Sequence, residues 1–248
     1  RLADLKYQVK KPVIDSLVKE GILCVTRERK YRNPLPGAGE EVSEKTLNEE
    51  QRRVVEHFSQ EYRAGIRKPY LLYGITGSGK TEVYMRFLHT VLEAGRQAIV
   101  LIPEIALTFQ TVSRFRTQFG DRVSVIHSRL SEGERYDQYE RAKNGEVDIM
   151  IGPRSALFTP FERLGIIIVD EEHETSYISE GAPRYHSDEV ALYRAGLADA
   201  SVVFGSATPS VKSYLAAKEG RYREYRLTKR AGDASLPEIH VVDLREEL

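Results

Sequence analysis

The middle of the chain carries six short apolar runs, at 70–73 (YLLY), 98–102 (AIVLI), 123–126 (VSVI), 148–151 (DIMI), 166–169 (IIIV) and 202–204 (VVF). Between most of them lie stretches with helical spacing, such as 82–95 (EVYMRFLHTVLEAG) and 105–119 (IALTFQTVSRFRTQF). Short β-branched runs alternating with helices predict an α/β domain, a parallel sheet covered on both faces. Ligands bind such sheets beyond the carboxyl ends of the strands, so chemistry is expected in the loops that follow the runs. After the last run, a helix at 211–220 and strands at 222–228 and 239–244 are predicted.

The start of the chain reads differently. Residues 10–21 (KKPVIDSLVKEG) predict a short helix with Val13, Ile14, Leu17 and Val18 on one face and Gly21 at its stop. Residues 22–33 (ILCVTRERKYRN) read as two strands around a charged turn. A helix followed by a basic hairpin is how a winged-helix module ends. The Pro- and Gly-containing stretch 33–41 then reads as a linker. The expected division is the C-terminal part of a winged-helix module over 1–36, a linker over 37–46, the main domain over 47–230, and a connection onward over 231–248.

Composition adds less than pattern. The 248 residues suffice for one large α/β domain with a small appendage. Lys+Arg and Asp+Glu are both 37, so total charge points to no partner. Residues 1–36 carry a net charge of +5, which marks either a polyanion-facing end or a solvated basic face. The single cysteine, Cys24, excludes a disulfide framework and a cysteine-based zinc site, and its apolar setting predicts a buried thiol. No apolar run approaches the ~20 residues that span a bilayer, and no signal-peptide pattern is present. A cytoplasmic protein without membrane partners is expected. The chain starts without an initiator methionine inside a periodic segment and ends abruptly, as a piece of a larger protein would.

Candidate chemistry concentrates in two loops. Gly74 to Thr81 (GITGSGKT) matches G-x-x-x-x-G-K-[ST] between a strand and a helix, the context that a phosphate-binding loop requires. Gly74, Gly77 and Gly79 let the backbone curl round phosphate oxygens, and Thr76, Ser78 and Glu82 belong to the same turn. Lys80 is expected to reach the terminal phosphates of ATP and Thr81 to ligate Mg²⁺. The acid Asp170 ends the run 166–169, where it would hold Mg²⁺ through its water shell. Glu171 would polarise the attacking water. Acids at such a place also cap helices. Gln51, upstream in TLNEEQRRVV, either pairs with the edge of adenine or lies on a helix surface.

Taken in order, GITGSGKTEVY, IPEIALT, HSRLSEGER, IGPRSALFTPF, IIIVDEEHETSY, PRYHSDEVALYRA and GSATPS resemble the motif set of a superfamily 2 helicase. More narrowly they resemble the PriA family of primosomal replication-restart DNA helicases of bacteria, from about residue 47 to the C-terminus. The resemblance implies a RecA-like lobe, ATP with Mg²⁺, and 3′-to-5′ movement on single-stranded and forked DNA. It implies a link to primosome and single-strand-binding proteins through the parent protein, whose zinc site and second lobe, with its arginine finger, belong to parts outside this chain. It assigns the DNA backbone to Pro103, Glu104, Thr108, Arg154 and Ser155, with an exposed ion pair as the alternative for Arg154. It assigns strand movement to the turn holding Thr208, which is otherwise a plain turn capped by Ser206 and Thr208. The loop 175–186, with Tyr177, Arg184, Tyr185 and His186, resembles the aromatic loop that couples single-stranded DNA to hydrolysis, its tyrosines either stacking on bases or anchoring the loop. His173 either relays between nucleotide and partner or packs. The chain carries Pro153 where many relatives have Thr, and no Trp. A basic wing at Arg27, Arg29, Lys30 and Arg32 either touches duplex DNA or is solvated. Two other functions stay open: a non-catalytic nucleotide- and DNA-binding module, and a related superfamily 2 translocase that moves on duplex without unwinding.

Overall fold

A computed structural model describes residues 9–24, 31–32 and 46–231, and the chain divides into two compact units, residues 1–31 and 32–248. The first unit contains α1 (Lys11–Lys19), opened by Pro12 in the first turn. It stops where the sequence says it should. Gly21 takes φ +73°, and its N–H and that of Ile22 bond back to Val18 and Leu17. Cys24 is exposed, which corrects the expected buried thiol: only Ile14 of the helix is buried here. The expected wing strands, with Arg27, Arg29 and Lys30, and the bulk of the linker lie outside the described residues, as does the strand at 239–244.

The second unit is built on a sheet of seven parallel strands. These are β1 (Pro69–Gly74), β2 (Gln97–Leu101), β3 (Val123–Val125), β4 (Ile149–Gly152), β5 (Leu164–Asp170), β8 (Ser201–Ser206) and β9 (Arg223–Leu227), in the order β3-β4-β2-β5-β8-β1-β9. A separate antiparallel pair, β6 (Ile178–Ser179) and β7 (Tyr185–His186), shapes the aromatic loop into a hairpin that the sequence did not predict. All six apolar runs appear as strands at their expected places.

Six helices cover the sheet. On one face lie α2 (Glu49–Arg63), α3 (Lys80–Glu93) and α4 (Phe109–Phe119), whose Phe58, Phe87 and Phe115 join Leu72, Val100 and Ile168 in one core layer. On the other lie α5 (Glu132–Lys143), α6 (Ser187–Ala198) and α7 (Val211–Lys218), which bring small residues, Ala142, Ala191, Ala195 and Ala216, against Ile99, Ile167 and Phe204. The central strand β5 is therefore buried on both sides, with Ile166 to Val169 at most 1% exposed, which is why its sequence is apolar without alternation. Phe58 and Phe87 stack at 4.0 Å, and truncating either to Ala would cost ~3–5 kcal/mol.

One helix begins later than its pattern. The stretch 105–119 was expected to be helical throughout, but α4 starts at Phe109. Pro103 accepts from the N–H groups of Ala106 and Leu107 in a turn, and the Thr108 hydroxyl then caps the helix by accepting from Thr111 N at 3.2 Å. A capping hydroxyl fixes the true start.

Candidate nucleotide site and nucleic-acid edge

The strand order brings the two chemical loops together. β1 ends in the Gly74–Thr81 loop and β5 ends in Asp170, with only β8 between them. A cleft of about 560 Å³ lies across these ends, lined by Gln51, Thr76, the residues from Gly77 to Glu82, Arg114, Asp170 and Glu171. Gly77 and Gly79 stand at φ +80° and +79°, a region that side-chain-bearing residues avoid, and a Cβ on Gly79 would lie 2.4 Å from Gln51 Nε2. Gly79 also begins α3 without a side-chain cap, leaving the positive end of the helix dipole to the cleft.

Lys80 is 8% exposed. Its Nζ donates to Gly74 O at 3.1 Å and stands 3.5 Å from Glu171 Oε1. Glu171 adopts φ +47°, a strained conformation for a residue with a side chain, which places it at the turn directly after the strand. Asp170 receives the Tyr84 hydroxyl on Oδ1 at 2.9 Å and the Tyr177 hydroxyl on its carbonyl at 2.7 Å. Burial, and then the neighbouring charge of Glu171, push the Asp170 carboxyl up to about 6. Burial and the Asp170 charge push the Tyr84 phenol well above its ordinary range, so it remains a donor.

The residues fit a magnesium–triphosphate. The Ser78 hydroxyl in the loop and Glu82 Oε1 in the first turn of α3 are buried with no partner among the described residues, the buried Lys80 ammonium faces the Glu171 carboxylate with Asp170 lining the same cleft, and Thr81 lines it beside them. A pair of acids held close to each other and to one lysine is costly alone, and a divalent cation offsets that cost. Arg114, which sequence reasoning missed, reaches the cleft from α4 and lies 3.5 Å from Glu82. Its helix is not adjacent in sequence to either motif, so no local signal marks it.

Gln51, the expected adenine contact, lies against the phosphate loop with both ends of its amide engaged. Its Nε2 donates to Ser78 O at 2.7 Å and its Oε1 accepts from Asn48 N at 2.8 Å, and the residue is 2% exposed. The amide closes the capping box of α2 and braces the phosphate loop rather than presenting a free edge.

Downstream of the acids, the motifs interlock. His173 Nδ1 lies 2.8 Å from Ser206 Oγ and 3.8 Å from Glu171 Oε2. Ser206 also accepts from Thr208 N at 2.9 Å, so the turn and His173 share one hydroxyl. Glu172 accepts from Ser210 N at 2.7 Å and from the hydroxyls of Ser210 and Ser213, each at 3.1 Å, tying the acidic loop to the first turn of α7.

The expected DNA-side residues gather along the ends of β2, β4 and β5, but several are already engaged. Pro103 is buried. Glu104 accepts from Ser128 N at 2.9 Å, which anchors its loop, and the Ser128 hydroxyl together with that N–H holds the carboxyl below its usual range. Thr108 caps α4. Arg154 donates to Ser176 O at 3.3 Å and to Ile178 O, tying its loop to the aromatic hairpin. Ser155 is half-buried and its carbonyl accepts from Tyr139 OH at 3.1 Å. Tyr177 is 5% exposed and its hydroxyl donates to Asp170 O, an arrangement of the anchoring kind. Tyr185 packs edge-on against Phe158, with ring centroids 5.5 Å apart, while Arg184 and His186 are exposed. Thr208 is exposed as well.

The model of the DEAD/DEAH box helicase family matches residues 48–216. The chain belongs to that family. Relatives align over most of its length. It is 44% identical over 247 residues to the replication restart protein PriA of Bacillus subtilis, covering 98% of this chain and 30% of that protein. It is 41% identical over 221 residues to PriA of Haemophilus influenzae, covering 89% of this chain and 30% of that one. The chain thus spans less than a third of the length of either relative. Among solved structures, RecG bound to a three-way DNA junction matches with a TM-score of 0.57 at 22% identity, over 76% of this chain and 24% of that one. A hypothetical ATP-dependent RNA helicase from Sulfolobus tokodaii matches at 0.53 and 22% identity, over 73% of this chain and 53% of that one. Both show the RecA-like helicase-lobe fold. Among the described residues, no helix is long and apolar enough to cross a membrane.

Proposed function

We propose that this chain is the first RecA-like lobe of an ATP-dependent 3′-to-5′ DNA helicase acting in replication restart, binding Mg-ATP in the cleft and single-stranded or forked DNA on the adjoining strand ends. The observation that carries the reading is the Lys80 ammonium held between the phosphate loop and Glu171 at 3.5 Å, with Asp170 beside it. Magnesium bound with ATP would supply charge neutralisation at the terminal phosphates. The rest belongs to the protein. Lys80 would leave Gly74 O for the phosphates, Thr81 and Asp170 would hold the metal side, and Glu171 would take a proton from the attacking water. His173, bonded to Ser206, feels both Glu171 and the turn that carries Thr208, which supports a relay from hydrolysis to strand movement. Partner proteins of the primosome and a single-strand-binding protein are assigned to the parent protein, as is the arginine finger. Full turnover is therefore assigned to the two-lobed parent and binding to this chain.

Equilibrium binding of a fluorescent ATP analogue to the 248-residue chain tests the reading. Wild type binds with Mg²⁺, and Lys80→Ala loses ~100-fold in affinity, the scale of a lost charge-assisted contact. Equal binding by both proteins would overturn the nucleotide site.

A further inference from the structure

The hydroxyl of Tyr84 occupies an unusual path. Tyr84 lies on α3, one turn after Lys80, and α3 follows β1. Asp170 ends β5, and β8 stands between the two strands. To reach Asp170, the phenol must pass over the end of β8. The residue of β8 paired with Asp170 is Gly205, which also pairs with Leu72 of β1. A Cβ on Gly205 would lie 1.6 Å from the Tyr84 hydroxyl oxygen and 2.8 Å from its Cζ. The glycine that opens GSATPS thus leaves the passage through which a side chain from the phosphate-loop helix grips the acid of the next motif.

Three features make the contact specific. The ring is 1% exposed and fixed in the core layer with Val83 and Leu88, so the hydroxyl has one place to go. The bond to Oδ1 is 2.9 Å. The carbonyl of the same Asp170 is held separately by Tyr177, so the backbone is fixed independently of the carboxylate. The Tyr84 hydroxyl therefore sets the rotation of the carboxylate about an already anchored main chain.

The geometry points to Tyr84 as a positioning residue for the metal-side carboxylate: it takes Oδ1 of Asp170 and leaves the other oxygen for the magnesium shell in the cleft. This rests on the nucleotide-site reading above. Gly205 belongs to the same device, because any side chain there displaces the phenol. Carboxylates that serve a metal are themselves oriented by outer hydrogen bonds, and loss of such a partner costs ~10–100-fold in metal affinity.

The test uses the 248-residue chain and a fluorescent ATP analogue titrated at fixed concentration with Mg²⁺. The readout is the Mg²⁺ concentration at half-maximal change, independent of turnover. Tyr84→Phe, which keeps the ring, raises that midpoint ~10-fold. Asp170→Asn raises it as well, and the double variant matches Asp170→Asn alone, because the phenol acts through that carboxylate. A midpoint within twofold of wild type in Tyr84→Phe, or fully additive shifts, would overturn the proposal while leaving the nucleotide site standing. A wild type that binds no analogue would overturn both. Should Tyr84→Phe not fold, carbon-13 labelling of tyrosine Cζ in wild type supplies the second measurement. One buried tyrosine signal shifts when Mg²⁺ joins the bound nucleotide and not with nucleotide alone; no such signal overturns the assignment.

Discussion

The phosphate loop and the DNA-side edge lie at the ends of the same seven strands, yet they are built in opposite ways. Around the phosphate loop, side chains are mostly buried and brace the loop or one another: Gln51 holds the Ser78 carbonyl, Lys80 faces Glu171, Tyr84 holds Asp170. Along the edge, side chains are exposed or spend their hydrogen bonds on main-chain groups: Ile105 is 89% exposed, Phe109 64%, and Arg154 bonds two carbonyls of the hairpin. A small ligand of fixed shape rewards a rigid, preassembled pocket. A sugar–phosphate backbone that slides past rewards contacts that form and release. On the proposed function, the contrast separates a site preset for one ligand from a surface that would exchange its own internal bonds for external ones.

That contrast can be broken first at Gly205. Gly205→Ala should lower stability by ~3 kcal/mol, since the phenol above it must move within a packed core. Denaturant unfolding checks this, and a loss under ~0.5 kcal/mol, the usual scale of surface changes, would mean the rigid side yields easily. The next effect concerns Asp170. Its carboxyl holds a proton more tightly in the fold than in the unfolded chain. Its contribution to stability is therefore fully present below the unfolded value near 3.8 and is lost as pH rises through about 6. Asp170→Asn removes the buried charge and should stabilise the nucleotide-free protein by ~2 kcal/mol at pH 8 and by almost nothing at pH 4. Melting curves at the two pH values, with a pH-independent difference, would contradict it.

The edge should respond more weakly. Arg154→Ala should reduce single-stranded DNA affinity only ~5-fold, because wild type must first release two carbonyls, and should flatten the salt dependence by ~0.7 in log–log slope. Fluorescence anisotropy at several salt concentrations measures both, and an unchanged slope would remove Arg154 from the phosphate track. Thr108→Ala sharpens the comparison further. It should cost ~1 kcal/mol of stability as a lost helix cap, with DNA affinity within twofold. A large affinity loss without a stability loss would return Thr108 to the DNA.

Much of the rigid side was legible in the sequence. The phosphate loop, Lys80, Asp170 and Glu171 each sit where a strand-to-loop pattern puts them, because glycine spacing and a β-branched run ending in an acid are local signals. Residues whose role depends on distant partners were not legible. Tyr84 reads as one more apolar helix position until β8 is known to lie between β1 and β5. Arg114 approaches the cleft from a helix of another motif. Gln51 reads as one polar position near a helix start until its amide is seen reaching the Ser78 carbonyl of the phosphate loop. On the edge, Thr108 and Tyr177 carry the right chemical groups for DNA, but a helix start and a buried carbonyl claim them first. Cys24 fails for the converse reason: an apolar tetrad, ILCV, imitates a buried strand, whereas the described residues around it leave the thiol exposed.

The order of the strands also bears on how the protein comes to exist. β1, which launches the phosphate loop, pairs only with β8 and β9, so Pro69 finds its neighbour Val202 more than 130 residues later in the chain. At ~5–20 residues per second of synthesis, that strand waits roughly 7–27 s for a partner. Until then, an apolar strand with both edges unpaired is at risk of joining another chain. The ribosome must deliver nearly the whole lobe before the nucleotide site exists, and nascent chains stalled before β8 should depend on chaperones in a way that the finished lobe does not.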